Sequence, residues 1–568
     1  MSDLADRGWG GVVPPAADGP AWLPRFSATS DQLVLAAGLY WALAVNRPFF
    51  AAALRAQGGD SGAWVLAIAL ALVLASLHVL LAGLVCTRRT VKPVLAVMTL
   101  VAAAALHFMT SYGVVLDPSM LRNVLRTDVA EAGELLTWRL ALDLLLWGAV
   151  PIAFLWAARV QARPWRRALV SRAVLLAGAA AVLFGALMWQ FQPIASLTRN
   201  HKELRYLITP ANVLWSVGSV VAADLRGAAQ PRQAIGLDAK PGPGWATLPR
   251  PRIVVLVVGE TVRAANWGLS GYARQTTPQL ARLQAQGALL NFADVTACGT
   301  STEVSLPCMF APQGRHDYDE ARIRNSESLM HVLARAGAKV TWRDNQSGCK
   351  GICAGLPLEM VSAASAPGLC QGERCWDEGL LRGLDERLHR AQGVEVLVLH
   401  MLGNHGPSYF RRYPSAFERF TPVCREDDLA RCSREQIVNA YDNAVLYSDH
   451  VLASLIATLQ ANASRVDSAL LFVSDHGESL GEKGLFLHGV PYAIAPREQT
   501  QVPMVMWWSD GFARSAALDA ECMRRRAQQP AAHDHLFHTV LALADVRTSL
   551  YAPQWDLTAG CRGQGPTP

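Results

Sequence analysis

The chain has 568 residues, of which 51% are hydrophobic and 17% charged, and its formal net charge is +6. That length exceeds one ordinary domain, and so modest a charge gives no reason to invoke nucleic acid as a partner. Charge falls mostly after residue 200, which divides the chain into an apolar front and a more polar remainder.

Residues 1–30 read as a cytoplasmic tail. Five segments then reach the roughly 20 apolar residues that a bilayer crossing requires: 31–54, 62–86, 92–115, 136–159 and 168–190. The first begins too late and runs too long for a cleavable signal peptide, so it reads as an anchor. Together they predict a five-helix transmembrane domain over 31–190. Arg88, Arg89 and Lys92 lie between the second and third spans; Arg159, Arg163, Arg166, Arg167 and Arg172 lie around the fourth-to-fifth connection. The loop at 116–135 instead mixes Arg122 and Arg126 with Asp117, Asp128, Glu131 and Glu134. The positive-inside rule therefore places 87–92 and 160–172 in the cytoplasm, and an odd number of spans carries everything after about 190 to the other side.

Residues 191–229 are amphipathic, with Trp215 among charges, and predict short helices bridging along the membrane surface. Residues 230–250 (QPRQAIGLDAKPGPGWATLPR) are rich in Pro and Gly without periodicity and predict a linker, so 191–250 forms a connecting segment. From 251 to 568, aliphatic runs such as RIVVLVV, GVEVLVLHM and SALLFVSD alternate with helical patterns. Continuous apolar strands of this kind imply a parallel or mixed sheet covered on both faces by helices.

Of eleven cysteines, Cys86 sits at the inner end of a span and the other ten all follow residue 297. They fall in close pairs, Cys298/Cys308, Cys349/Cys353, Cys370/Cys375 and Cys424/Cys432, followed by Cys522 and Cys561. An even set confined to the exported part reads as a disulfide framework, and the spacings without His partners disfavour structural zinc.

Candidate chemistry lies where buried strands run out into loops: Glu260 after RIVVLVVG, His405 in GNHGP, and Asp475–His476 after LLFVS. In open α/β sheets ligands bind beyond the carboxyl ends of the strands. Carboxylate and imidazole donors without Cys suit a divalent metal such as zinc, and a carboxylate buried after an apolar strand needs such a partner. His488 in FLHG adds another imidazole. Thr302, in the Cys298–Cys308 loop CGTSTEVSLPC, offers a hydroxyl that a metal can activate as a nucleophile. Thr300, Ser301 and Ser305 are rivals on residue type alone. Asn123, Thr127 and Glu131 are spaced i, i+4, i+8, which predicts one polar helical face.

VVGETVRAANWGLSGYARQTTPQL, CGTSTEVSLPCMF, GNHGPSYFRRYP, NAYDNAVLYSDH, VSDHGESLGEKGLFLHGVPYAIAP and the membrane-side SYGVVLDPSMLRNVLRTD resemble the phosphoethanolamine transferases. Within that family the chain is most similar to the enzymes acting on lipid A of Gram-negative bacteria, which include the polymyxin-resistance enzymes. The resemblance implies five spans in the inner membrane and a periplasmic domain over 251–568 with the alkaline-phosphatase/sulfatase fold. It implies Thr302 as nucleophile and Glu260, Thr302, Asp475 and His476 as ligands of one firmly held zinc, with a second zinc allowed. His405 and His488 match residues that contact the phosphoryl group or that second metal. Asn123, Thr127 and Glu131 match donor-binding positions, with Glu131 facing the ethanolamine ammonium. Lys350, with Gln346 and Ser347, matches a substrate-contacting loop.

The implied reaction is a double displacement. Thr302 attacks phosphatidylethanolamine and expels diacylglycerol, and a lipid A phosphate then attacks the phosphoethanolamine-threonine. The expected enzyme is a membrane-embedded monomer whose partners are its two lipids. Transfer to a core sugar or a periplasmic glucan is the competing reading. A lipoteichoic-acid-type phosphoglycerol transferase fits the GNHGP and CGTST loops less well, and a decayed, non-catalytic scaffold conflicts with every ligand position being filled.

Overall fold

The computed structural model describes residues 26–56, 63–127, 129–228, 232–372 and 374–563, so the expected tail lies outside the described residues as far as 25. The chain divides into two compact units, Met1–His107 with Trp138–Asn212, and Phe108–Thr137 with Val213–Pro568.

In the first unit, helices Ala63–Val85, Trp138–Ala157 and Trp165–Trp189 are long and apolar enough to cross a membrane, as is Val91–Ser111, which runs on past its boundary. The expected first span is a bent pair, Ser30–Val45 and Arg47–Ala56, meeting at 55°; counted as one crossing, it makes the fifth. The bend has a local cause. A π-type turn over Trp41–Val45 ends at Asn46, whose side chain donates to the Trp41 carbonyl at 2.8 Å, and Pro48 withholds an amide just beyond. Arg172, counted above as an orienting charge, also ties helices together. It donates to Asp31 Oδ1 at 2.6 Å and to the Cys86 carbonyl at 2.6 Å.

The second unit is organised by a seven-stranded sheet. Its strands are β1 (Arg252–Gly259), β2 (Leu289–Phe292), β3 (Lys339–Asp344), β4 (Leu358–Met360), β5 (Val394–His400), β6 (Asp467–Ser474) and β7 (Met504–Trp508). Their spatial order is β2-β7-β6-β1-β5-β3-β4. β6, β1, β5, β3 and β4 run parallel, while β7 is antiparallel to both β6 and β2. Because side chains alternate along a strand, Ile253, Val255 and Val257 enter one apolar core and Val254, Leu256 and Val258 the other. The sheet is thus buried on both faces, as the continuous apolar runs predict. In the β6–β1 register Ser474 lies opposite Gly259, so the next residues, Asp475 and Glu260, emerge side by side at the carboxyl edge.

Around the sheet lie α1 (Pro118–Arg126), α2 (Val129–Glu134), α3 (Ala211–Ala228), α4 (Thr302–Met309) and α5 (Arg434–Ala461). The single helical face expected for Asn123, Thr127 and Glu131 does not form. α1, capped by the Asp117 side chain, stops at Arg126, and Thr127 is extended at ψ 133°. The Thr127 hydroxyl donates back to the Asn123 carbonyl at 2.8 Å, a local bond that competes with helix continuation. Glu131 belongs to the separate helix α2. α3 (ANVLWSVGSVVAADLRGA) is apolar over most of its length and leaves Leu214, Trp215, Val221 and Leu225 exposed.

The expected linker is stitched to the α/β domain instead of running free. Gln233 N–H donates to the Asn325 carbonyl at 2.7 Å, the Trp245 indole donates to the Ala544 carbonyl at 2.8 Å, and Lys240–Pro241 pairs with Val546–Arg547. Trp245 and Leu248 pack on the core, which outweighs the Pro/Gly signal. All five disulfides join nearest neighbours: Cys298–Cys308, Cys349–Cys353, Cys370–Cys375, Cys424–Cys432 and Cys522–Cys561. Cys86 is a buried free thiol.

Candidate active site

Glu260, Asp475 and His476 are fully buried at the carboxyl ends of β1 and β6, and their ligand atoms lie within 4.8 Å of one another. Among the described residues they are the group with metal-ligand spacing. His476 Nε2 lies 3.4 Å from Glu260 Oε1 and 3.4 Å from Asp475 Oδ2. One Asp475 oxygen is occupied, accepting from the His476 amide at 2.7 Å and the Thr261 amide at 3.2 Å. Glu260 Oε1 and Asp475 Oδ2 are buried without a hydrogen-bond partner. Two orphaned carboxylate oxygens facing one imidazole nitrogen are costly in a dry site, and a divalent cation is the partner that fits them.

The electrostatics agree. Burial pushes the Asp475 carboxyl up to about 7, and the neighbouring Glu260 charge adds to the rise. Burial disfavours the charged His476 imidazole, yet the Asp475 and Glu260 carboxylates raise it to about 9. Burial also acts against the Glu260 carboxylate, but the His476 hydrogen bond and charge hold it well below the usual range. A proton on His476 or Asp475 competes with a cation for these atoms. Metal uptake would displace it, so metal affinity rises with pH.

Backbone geometry sets these groups. Thr261 turns the chain at φ 53°, costly for a β-branched residue, and its hydroxyl is tied to the Glu260 carbonyl at 2.9 Å. Gly403, at φ 55°, crosses directly behind Glu260. A Cβ there would meet the Glu260 carbonyl oxygen at 2.6 Å and its nitrogen at 2.9 Å, so only glycine fits.

The structure separates the rival hydroxyls. Thr302 opens α4 and brings its Oγ1 to 3.0 Å from Glu260 Oε2 and 3.3 Å from His476 Nε2. Thr300 donates instead to the Val490 carbonyl at 2.7 Å. Ser301 stands just before α4 without a side-chain cap to it, and Ser305 is buried within the helix. The Cys298–Cys308 disulfide closes the loop that carries Thr302. His533 fastens the start of that loop to β6: the Cys298 amide donates to its Nδ1 at 3.0 Å, and its Nε2–H donates to the Ser474 carbonyl at 2.9 Å. Burial pushes His533 down to about 4, keeping it neutral for both bonds.

Two further imidazoles flank the cluster. The His488 ring centroid lies 4.4 Å from that of His476 and 5.4 Å from that of His405. Glu131 reaches His405, with Oε1 2.7 Å from Nε2. Burial lowers the His405 pKa, but the Glu131 carboxylate outweighs it and raises the group to about 9. Glu134, one turn further along α2, is buried against Arg412 at 2.6 Å and also pairs with Arg374. Arg412 in turn donates to the His405 carbonyl at 2.5 Å. Gln346 donates to Glu260 Oε2 at 3.0 Å, and Lys350 lies 2.7 Å from Ser347 Oγ and 3.4 Å from Glu303. Among the described residues the Asn123 and Thr127 side chains make no hydrogen bond to the cluster; α1 approaches it through Arg126, which pairs with Glu303 at 3.0 Å.

Sequence reasoning passed over Glu478, which holds His488 Nδ1 at 2.9 Å and accepts from the Tyr409 hydroxyl at 2.7 Å. The signal was present, since a fourth buried polar residue in SDHGES needs a partner. Glu134, Arg412 and His533 carried no such local signal.

The chain matches the sulfatase family over residues 252–546 and the family described as phosphoethanolamine transferase EptA/EptB over residues 73–225. It is 38% identical to phosphoethanolamine transferase EptA of Escherichia coli K12 over 476 residues, 83% of this chain and 86% of that protein. It is 36% identical to the phosphatidylethanolamine transferase Mcr-2 of Escherichia coli over 533 residues, 92% of this chain and 96% of that protein. The lipooligosaccharide phosphoethanolamine transferase EptA of Neisseria meningitidis superposes with a TM-score of 0.90 at 37% identity, covering 95% of this chain and 100% of that one. Apolar helices of membrane length, a sulfatase-type sheet and a threonine hydroxyl on a buried acid-histidine cluster therefore come together in one way: the chain belongs to the phosphoethanolamine transferase family.

Proposed function

We propose that this chain transfers phosphoethanolamine from phosphatidylethanolamine to a phosphate of lipid A, at the periplasmic face of a bacterial inner membrane. The observation that carries this reading is the Thr302 hydroxyl, 3.0 Å from Glu260 and 3.3 Å from His476. Glu260, Asp475, His476 and Thr302 are the proposed holders of one zinc, whose oxygen and nitrogen donors suit it. When bound, zinc supplies Lewis-acid chemistry, favouring the ionised hydroxyl and offsetting phosphoryl charge.

In the first half-reaction Thr302 passes its proton to the Glu260 Oε2 that already accepts from it, Oγ1 bonds to phosphorus, the bond from phosphorus to the glycerol oxygen breaks, and diacylglycerol leaves. His488, oriented through Nδ1 by Glu478, is the group proposed to give the departing oxygen its proton. In the second, a lipid A phosphate oxygen attacks phosphorus, the bond to Thr302 breaks, and Thr302 regains its proton from Glu260 Oε2. His405, held cationic by Glu131, balances charge on the phosphoryl oxygens. Glu131 is proposed to serve the ethanolamine ammonium as well, with Asn123 and Thr127 supplying polar groups from the preceding turn. Lys350 is proposed to meet the substrate's phosphate from the other side.

Expression of the intact chain in a polymyxin-sensitive Gram-negative host tests the acceptor. Mass analysis of extracted lipid A should show added phosphoethanolamine, and polymyxin sensitivity should fall severalfold because each new ammonium offsets surface negative charge. An unshifted lipid A mass from an active protein would move the acceptor to a core sugar or glucan. Metal analysis tests the ligands. The purified wild type should carry about one zinc per chain, and Glu260→Ala and His476→Ala should each lose at least about nine-tenths of it, each removing one of about four ligands. Full occupancy in both variants would sink the assignment.

A further inference from the structure

Beside α4 lies a cavity of about 1000 Å³ lined by six cationic side chains, Arg122, Arg126, Arg226, Arg232, Arg324 and Lys350. Four carboxylates, those of Asp224, Asp319, Glu320 and Glu327, share the lining. Part of this charge is an internal ion-pair network. Arg324 pairs with Glu320 at 3.0 Å, Arg126 with Asp224 at 3.1 Å, and Arg126 and Lys350 meet Glu303 at 3.0 and 3.4 Å.

The remainder is not accounted for in that way. Arg226 and Arg232 are exposed and donate to the Ala222 and Gly351 carbonyls; among the described residues neither has a carboxylate within 4.0 Å. Arg122 is only 5% exposed, and although it pairs with Glu320, its Nε has no hydrogen-bond partner, the nearest Asp224 oxygen being 3.8 Å away. A buried guanidinium with an unused Nε donor, lining a cavity in which Arg226 and Arg232 make no ion pair within 4.0 Å among the described residues and only the Glu327 charge acts on Arg232 from further off, suits an oxyanion. Guanidinium groups recognise phosphate through paired hydrogen bonds.

The cavity is also tied to the nucleophile. α4 starts at Thr302, and Pro307 and Phe310 line the cavity. At 1.5 Å per residue the far part of the lining, at Pro307 and just past the helix end at Phe310, lies on the order of 10 Å from Thr302 along the helix, while Arg126, Arg324 and Lys350 bring the near part up to Glu303. Glu303, next to Thr302, contacts Arg126, Arg324 and Lys350 together.

We propose that this cavity binds a second phosphate monoester of the acceptor, one that does not react, and so selects a lipid whose saccharide headgroup carries two phosphates up to about 10 Å apart or somewhat more. The proposal rests on the acceptor reading given above and extends it to a specificity site. Binding energy made equally in ground and transition states appears in KM and leaves kcat alone.

The test uses the intact, detergent-solubilised, metal-loaded chain with two acceptors, bisphosphorylated and monophosphorylated lipid A. Diacylglycerol release without acceptor reports the donor step. The wild type should show a KM at least about tenfold lower for the bisphosphorylated lipid. Arg226→Gln combined with Arg232→Gln should abolish that preference while donor cleavage stays within about twofold of wild type. Arg122→Lys, which keeps the charge and loses the fork, should weaken the preference without unfolding the protein. Equal KM values for the two lipids in the wild type, or a preference that survives in the double variant, would overturn the cavity proposal alone. Donor cleavage with transfer to neither lipid would overturn the acceptor reading and this proposal with it.

Discussion

Thr302→Ala should lower phosphoethanolamine transfer by at least about a thousandfold, a loss of about 4 kcal/mol of barrier lowering at about 1.4 kcal/mol per tenfold. The substitution removes one hydroxyl from the first position of α4, where no helical hydrogen bond depends on the side chain, so folding stability should change by no more than about 1 kcal/mol. The zinc proposed above should be retained far better than in Glu260→Ala or His476→Ala, because the hydroxyl is the one neutral oxygen among its holders, water can replace it, and Glu260, Asp475 and His476 still present their ligand atoms within 4.8 Å of one another. Thr300→Ala is the informative control. It deletes a hydrogen bond to Val490 and should cost about 1 kcal/mol of stability while leaving most of the activity. Turnover of a fluorescent donor, with mass spectrometry of the phosphoethanolamine-protein adduct, reads both variants. Wild-type transfer by Thr302→Ala, or an adduct on Thr300, would remove Thr302 from the role.

The sheet and the metal-type cluster were legible because both are encoded locally. A fully apolar strand ending in Gly–Glu, and another ending in Ser–Asp–His, state that charged groups stand at the edge of a buried sheet. That the two strands are neighbours was not local: they lie more than two hundred residues apart, and only the strand order of the sheet pairs them. The choice between Thr300 and Thr302 was not local. The two residues are chemically identical and two positions apart, and only the path of the loop toward Val490 or toward Glu260 separates them. The helical face drawn through Asn123, Thr127 and Glu131 failed because spacing assumes continuity, and a threonine hydroxyl bonding backwards ended the helix. The bend in the first span was hidden for a similar reason, since hydropathy averages over Asn46 and Pro48. Composition at 230–250 registers Pro and Gly, but not the contacts that fasten the segment to the α/β domain, such as the Trp245 indole donating to the Ala544 carbonyl.

The pairing of α2 with the catalytic loop was the least legible feature and leads to the second large effect. Glu134 and Arg412 lie 278 positions apart, and no motif links them. Both are buried, so removing the carboxylate strands a guanidinium in a dry site, typically at a cost of about 3–5 kcal/mol. Arg412 also fixes the backbone of His405, and Glu131, three residues before Glu134 on α2, fixes its imidazole. One short helix thus holds His405 at both ends. Glu134→Ala should therefore reduce transfer by about a hundredfold, the usual penalty for misplacing a reacting geometry by about 1 Å, although Glu134 touches no reacting atom. Metal content should stay at the wild-type level, because Glu260, Asp475 and His476 are positioned by β1 and β6. Glu134→Gln, which keeps the shape and some hydrogen bonding, should fall between Glu134→Ala and wild type. Donor KM separates positioning from general damage: it should rise in Glu134→Ala as Glu131 loses its place, while thermal unfolding of the α/β domain stays cooperative. Normal kinetics in Glu134→Ala would show that α2 is held by other contacts and that Glu131 reaches His405 without it.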